Sequence, residues 1–240
     1  MNKFKKKTRS KMIAASIAIL SSAAVVSTGF AAWVISGGDS KTAAGTITAD
    51  SVTNSYHTIK GDITWGTGEK AGSIAFGAPA KMENTNAWLK NIDNPLTEKL
   101  EAVATFTVEN VNENEPDLIE SVVMEETDTE KKYAAISDTT EKNGYVCALP
   151  TYKKGSTPTT DAGIYLTAGD RNITDNTVTY TMTVRFAWGK YFTSNGSTVN
   201  PYIFFNGKTK DSTNISEATK VLKSIYDLNN VGFKITVTTK

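Results

Sequence analysis

Hydrophobic side chains recur at every second position in a series of short segments, the spacing that lines one face of an extended strand and leaves the other to water. In NTVTYTMTVRF, Val178, Tyr180, Met182, Val184 and Phe186 alternate with Thr179, Thr181, Thr183 and Arg185. EAVATFTVEN sets Ala102, Ala104, Phe106 and Val108 against Val103, Thr105 and Thr107, and VGFKITVTTK sets Phe233, Ile235 and Val237 against Lys234, Thr236 and Thr238. GTITADSVT, DLIESVVMEE, NGYVCALP and AGIYLTAG predict further strands. The connectors WGTGEKAGS, ENVNENEPD and TYKKGSTPTTDAG carry the Gly, Asn, Asp, Thr and Pro that turns require. The first of these lacks the G-x-x-x-x-G-K-[ST] spacing of a phosphate loop, so its glycines predict a hairpin turn.

A helical period occurs once. Over residues 216–228, Ala218, Val221, Leu222, Ile225 and Leu228 fall on one face, with Asn214 and Glu217 spaced for a capping box. NTNAWLKNIDNPL predicts a short helical turn. Seven or more strands, one helix in the C-terminal half and no βαβ rhythm predict a mainly β chain. Its expected form is an antiparallel β-sandwich of jelly-roll or immunoglobulin-like type, preceded by an N-terminal signal helix. One domain over residues 45–240 is of ordinary size for such a fold.

The N-terminus breaks the pattern. Lys3, Lys5, Lys6, Lys7, Arg9 and Lys11 precede MIAASIAILSSAAVV, which is uncharged, and small residues follow at Gly29 and Ala31. Basic run, apolar run and small-residue site form an export signal, residues 1–31, with cleavage between Ala31 and Ala32. The competing expectation is an uncleaved anchor, because the 24 residues from Met12 to Ile35 carry no charge and suffice to span a hydrocarbon layer of about 30 Å. Either way, the only membrane contact expected is through this segment. Cleavage leaves a mature N-terminal segment, residues 32–44, opening with the strand-forming Ala32, Trp33, Val34 and Ile35 and followed by Ser36, Gly37, Gly38 and Asp39.

Charge and chemistry narrow the function. Removing the six N-terminal bases from a total of 26 leaves 20 against 25 acids, a mildly acidic remainder ill suited to nucleic acid. A single Cys, Cys147, forbids an intrachain disulfide and a CxxC site, and a single His, His57, makes a His-rich metal site impossible. His57 is expected on a strand or its edge, in a structural role. Glu109, Glu113, Glu115 and Asp117, and again Glu125, Glu126, Asp128 and Glu130, lack the spacing of a calcium loop and read as solvated acidic loops. No paired carboxylates stand out for a hydrolase, so no enzyme, metal or cofactor is expected. RFAWGKYFTSNGSTVNPYIFFN is rich in rings: Trp188, Tyr191 and Tyr202 are candidate ligand aromatics, and core packing explains them equally.

The order of basic run, apolar run, GFAAW, polar spacer and AAGTITAD resembles the export signal and mature start of the TasA and camelysin family of Gram-positive surface proteins. Those proteins are processed by a SipW-type signal peptidase. Trp33 takes the place of the aromatic just after the cut, Gly45-Thr46-Ile47 that of the following strand, and ATFTVENVNENEPDLIESVVMEE is similar to the family's strand, turn and strand. The resemblance implies a jelly-roll sandwich, secreted to the cell surface or biofilm matrix. It also implies self-association into fibres, in which Ala32–Ile35 of one copy adds as a strand to the sheet of the next, with matrix polysaccharide a candidate partner. The alternative is a membrane-anchored β-sandwich adhesin or carbohydrate-binding module. The closing KITVTTK has neither an apolar tail nor an LPxTG motif, so covalent wall attachment is not expected.

Overall fold

A computed structural model of the chain describes residues 40–52, 57–67, 72–79, 99–111, 117–228 and 231–240. In chain order the described elements are β1 (Ser40–Val52), β2 (Thr58–Trp65), β3 (Ser73–Pro79), β4 (Glu101–Glu109), β5 (Ile119–Glu126), helix α1 (Lys132–Ile136), β6 (Gly163–Asn172) and β7 (Thr177–Arg185). A 3₁₀ turn (Lys190–Phe192), the two-residue strands β8 (Thr193–Ser194) and β9 (Ser197–Thr198), α2 (Pro201–Asn206), α3 (Ser212–Tyr226) and β10 (Gly232–Thr239) complete them. The protein is mainly β, with largely antiparallel sheets and few, short helices.

One sheet has the order β3-β1-β10-β5 and a second has β2-β4-β7-β6, while β8 and β9 form a small hairpin. All neighbours in the second sheet are antiparallel. In the first, β1 runs parallel to β10, with Ile47 beside Phe233. The sequence reading anticipated antiparallel pairing alone; the first and last described strands lie side by side, and no short connection constrains their relative direction.

Period-2 alternation translates directly into burial. Ala102, Ala104, Phe106 and Val108 of β4, Val178, Tyr180, Met182 and Val184 of β7, and Phe233, Ile235 and Val237 of β10 are all buried. Side chains of both sheets enter one hydrophobic cluster. Phe76 of β3 meets Phe186, just past β7, edge to face at a centroid distance of 6.1 Å. Tyr133 of α1 lies 5.8 Å from Phe186 and 5.2 Å from Phe233 of β10. Each such ring, taken fully from water, contributes about 1.5–3 kcal/mol.

Several expectations are corrected. The glycine-rich connector after Trp65 is no hairpin: β2 pairs with β4 and β3 pairs with β1, so it passes from one sheet to the other. Gly72 is needed there because a Cβ would lie 2.6 Å from the Trp65 ring. The segment NGYVCALP contributes isolated bridges, Val146 with Ser137 and with Trp188, instead of a strand. The C-terminal-half helix begins at Ser212, capped by Asp211, whose carboxylate accepts from the Asn214 N–H at 2.8 Å. Helix α2 was not anticipated, although Asn200 caps it through the Ile203 N–H at 2.9 Å and Pro201 opens its first turn, a helix-start signal legible in the sequence. The anticipated helical turn in residues 84–96 lies outside the described residues. β1 also takes in residues 40–44, which the sequence reading set ahead of the domain.

Candidate functional site

The expected signal-site residues Gly29, Ala31 and Ala32 and the expected assembly strand Ala32, Trp33, Val34 and Ile35 lie outside the described residues. What is described is where an added strand would find room. Strand addition needs a sheet edge with unmet main-chain groups, and the outer strands of the two sheets differ in this respect. On β3, Ala75 and Lys99 exchange both main-chain bonds, at 2.6 and 2.7 Å. On β6, Ile164 bonds the passing segment through Lys153 and Thr151, at 2.8 and 2.9 Å. Strand β2 is interrupted by a register shift between Lys60 and Thr64, with Gly61 at φ 72°.

Strand β5 keeps one register with β10 from Ser121 to Glu126, with a shift only between Ser121 and Ile119, and is open along its middle. Thr127 N–H donates to the Gly232 carbonyl at 2.8 Å beside the pair Phe233 and Glu126. Antiparallel geometry then turns the main-chain groups of Val123 and Glu125 towards β10, and those of Val122 and Met124 away from it. Lysines close the two ends of this outer edge. Lys131 Nζ donates to the Glu126 carbonyl at 2.5 Å, and Lys154 Nζ lies 3.5 Å from the Ile119 carbonyl. Among the described residues no hydrogen bond reaches the outward main-chain groups of Val122 or Met124. Val123, on the solvent face, is 49% exposed. The alternation in DLIESVVMEE predicts this strand; nothing in it reveals an edge, because edge position is a property of sheet order.

The candidate aromatics fall into one packed group in which their surroundings differ. Trp188 is 7% exposed, with Phe76 at 5.2 Å and Phe192 at 5.6 Å, both edge to face. Tyr191 is half-buried against Tyr145, Phe192 and Phe204. Its hydroxyl donates to Glu217 Oε1 of α3, and Lys208 Nζ donates to Oε2 of the same carboxylate at 3.0 Å while sitting 4.4 Å from the Phe204 ring centre. Burial, then the adjoining carboxylate, pushes the Tyr191 phenol far above its ordinary value. The Tyr191 hydroxyl and the Lys208 ammonium hold Glu217 below its own, against the opposing effect of burial. This network joins the 3₁₀ turn to α2 and α3. Tyr202, on α2, is half-buried. An open cleft of about 390 Å³ passes beside Trp188, lined also by Glu101, Thr160, Arg185 and Thr198, with Arg185 and Glu101 paired at 2.6 Å.

Three residues of reactive type, His57, Cys147 and Glu126, are buried. His57 is 4% exposed, and its carbonyl accepts from Thr239 Oγ1 at 2.5 Å, tying the start of β2 to the end of β10. Cys147 is buried; its sulfur accepts from the Ala187 N–H at 3.2 Å, and burial raises its thiol above the ordinary range. Glu126, from the second acidic run, is buried and caps α1, accepting from the Tyr133 and Ala134 N–H groups at 2.7 and 3.1 Å. That role was invisible in a sequence run read as solvated. Among the described residues, no group of three His, Cys, Asp or Glu is placed to hold a metal, and no helix is long and apolar enough to cross a membrane.

Compared with protein-family models, curated proteins and solved structures, the chain matches none.

Proposed function

We propose that the chain is an exported, non-catalytic structural protein of a Gram-positive cell surface or biofilm matrix, of the TasA and camelysin kind, built to assemble by strand addition. On this reading its two four-stranded sheets close as a β-sandwich, supported by the single cluster their buried faces share. A SipW-type signal peptidase cuts after Ala31 and frees Ala32, Trp33, Val34 and Ile35, with Ser36 to Asp39 as a hinge. That tetrapeptide has the β-branched and aromatic composition of a strand. Added to a neighbouring copy, it supplies main-chain partners along its length while Trp33 or Ile35 fills a pocket. Repeated head to tail, the contact does not close on itself and yields a filament.

The observation that carries this reading is the β5 edge, in one register with β10 from Ser121 to Glu126 and, among the described residues, unpartnered at the outward main-chain groups of Val122 and Met124 between lysine-blocked ends. An edge blunted at its ends and open in its middle admits a short strand and discourages indiscriminate sheet stacking. The test compares secreted protein with a form lacking residues 32–35, by N-terminal sequencing and negative-stain microscopy. The secreted chain is expected to begin at Ala32 and to form fibres with rising concentration, and the truncated chain to remain a folded monomer. Fibres from the truncated chain sink the strand-addition reading.

A second reading, an adhesin or carbohydrate-binding module, is favoured by one observation: the cleft that sets the Arg185–Glu101 pair and the Thr160 and Thr198 hydroxyls beside Trp188. It predicts an intact Met12–Ile35 anchor and a change in Trp188 fluorescence on adding matrix polysaccharide.

A further inference from the structure

The chain contains three Asn-Gly dipeptides, at 143–144, 195–196 and 206–207. Asparagine before glycine is open to self-modification, because glycine's missing side chain lets its amide nitrogen reach the asparagine carboxamide. The fold treats the three differently. The Gly144 N–H is held by Asp138 Oδ1 at 2.6 Å, with Gly144 itself buried and Asn143 exposed. The Gly207 N–H donates to the Ile203 carbonyl at 3.2 Å, closing the end of α2. Asn195 and Gly196 form the exposed two-residue loop between β8 and β9, both at positive φ (51° and 79°), as a type I′ hairpin turn requires. In such a loop the ladder bonds belong to the flanking residues, here Ser194 and Ser197. Among the described residues nothing bonds the Gly196 N–H, and nothing lies within 4 Å of a Cβ placed there.

We infer that Asn195 is the site of spontaneous deamidation in the folded protein, and that Asn143 and Asn206 are protected by hydrogen bonds to the following glycine. Solvent base removes the Gly196 amide proton, and the nitrogen attacks Cγ of Asn195. The new N–Cγ bond forms as the Cγ–Nδ2 bond breaks, releasing ammonia and leaving a succinimide. Water then adds to one of its two carbonyls and opens the ring, giving aspartate or isoaspartate at position 195. The net change is amide plus water to carboxylate plus ammonia, with no oxidant or reductant. The product places a new negative charge on an exposed hairpin three residues from Thr198, which lines the Arg185–Glu101 cleft. The isoaspartate form lengthens by one methylene a turn that has only two residues in which to reverse the chain.

The test incubates the purified full chain at 37 °C and mildly alkaline pH, then maps peptides by mass spectrometry and measures ammonia release. A parallel sample is unfolded in urea. In the folded protein, conversion at 195 should outrun that at 143 and 206 by at least about tenfold, the factor set by each 1.4 kcal/mol needed to open a protecting bond. In urea the three rates should converge, since only the fold distinguishes them. Asn195→Gln should abolish most of the ammonia released by the folded chain. Comparable folded-state conversion at 143 or 206, no conversion at 195, or a rate order unchanged by urea overturns the inference.

Discussion

Gly189 lies so close to Gly144 that a Cβ at position 189 would sit 2.1 Å from the Gly144 carbonyl oxygen. A Cβ on Gly144 would in turn lie 2.1 Å from the Ser137 carbonyl carbon. Three segments meet here, pinned by Asp138 N–H to Val146 O at 2.9 Å, Gly189 N–H to Tyr145 O at 3.0 Å and Tyr191 N–H to Gly144 O at 3.1 Å. The obstacle at 189 is space and not backbone conformation, since its φ of −81° suits any residue. Gly189→Ala should therefore destabilise by about 1–3 kcal/mol through overpacking. Gly207→Ala, where the nearest atoms lie at 3.5 Å, should be neutral or stabilising by up to about 1 kcal/mol. Urea titration of both variants checks the contrast.

Glu126 makes a second case in which one side chain holds two segments. Its carboxylate accepts two N–H groups at the start of α1, a helix whose N-terminal flanking residue, Lys131, provides no side-chain cap and sits at φ 50°. Glu126→Ala leaves the buried Tyr133 N–H without its acceptor and should cost about 1–3 kcal/mol. The loss should be read as a lower urea midpoint with the slope unchanged.

Two carboxylates make stability depend on acid. Burial acts to raise Asp117, yet Lys154 and Lys240, at 2.7 and 3.0 Å, together hold it below its ordinary value. Glu217 is lowered by Tyr191 and Lys208. A carboxylate depressed in the folded state stabilises fully above its unfolded value and loses that contribution as pH falls through the folded one. The window therefore opens near the ordinary carboxylate range of about 4 and extends below it. Asp117→Asn and Glu217→Gln should each flatten the fall of the thermal midpoint with acid across that window. Variants that keep the parent slope would show that these pairs contribute nothing there.

The β5 edge carries a prediction specific to assembly. Val122 turns its N–H away from β10 by the register of the pair, so Val122→Pro removes an outward donor without breaking a ladder bond. The variant should fold, judged by circular dichroism, with fibre formation lost or reduced at least tenfold in seeded growth. A folded Val122→Pro protein that polymerises at the parent rate rules out this edge as the acceptor.

Sequence alone determined the most regular strands and their buried faces. Alternation in EAVATFTVEN, NTVTYTMTVRF and VGFKITVTTK assigns Phe106, Met182 and Ile235 to the interior because residues two apart in an extended chain share a face whatever the strand pairs with. Helix α3 was legible for the analogous reason, although its start was not: Asp211, three residues before Asn214, is the acceptor that the folded backbone reaches. Tertiary structure decided which strands are neighbours, and hence that Trp65 and Ser73 lie in different sheets and that β1 runs beside β10. Among the described residues, it likewise decided that β5 ends a sheet, that Glu126 is a buried cap, and that only one Asn-Gly leaves its amide unbonded. Each of these depends on groups brought together from distant parts of the chain. Local periodicity records which way a side chain points, and the assembled fold determines what it meets there.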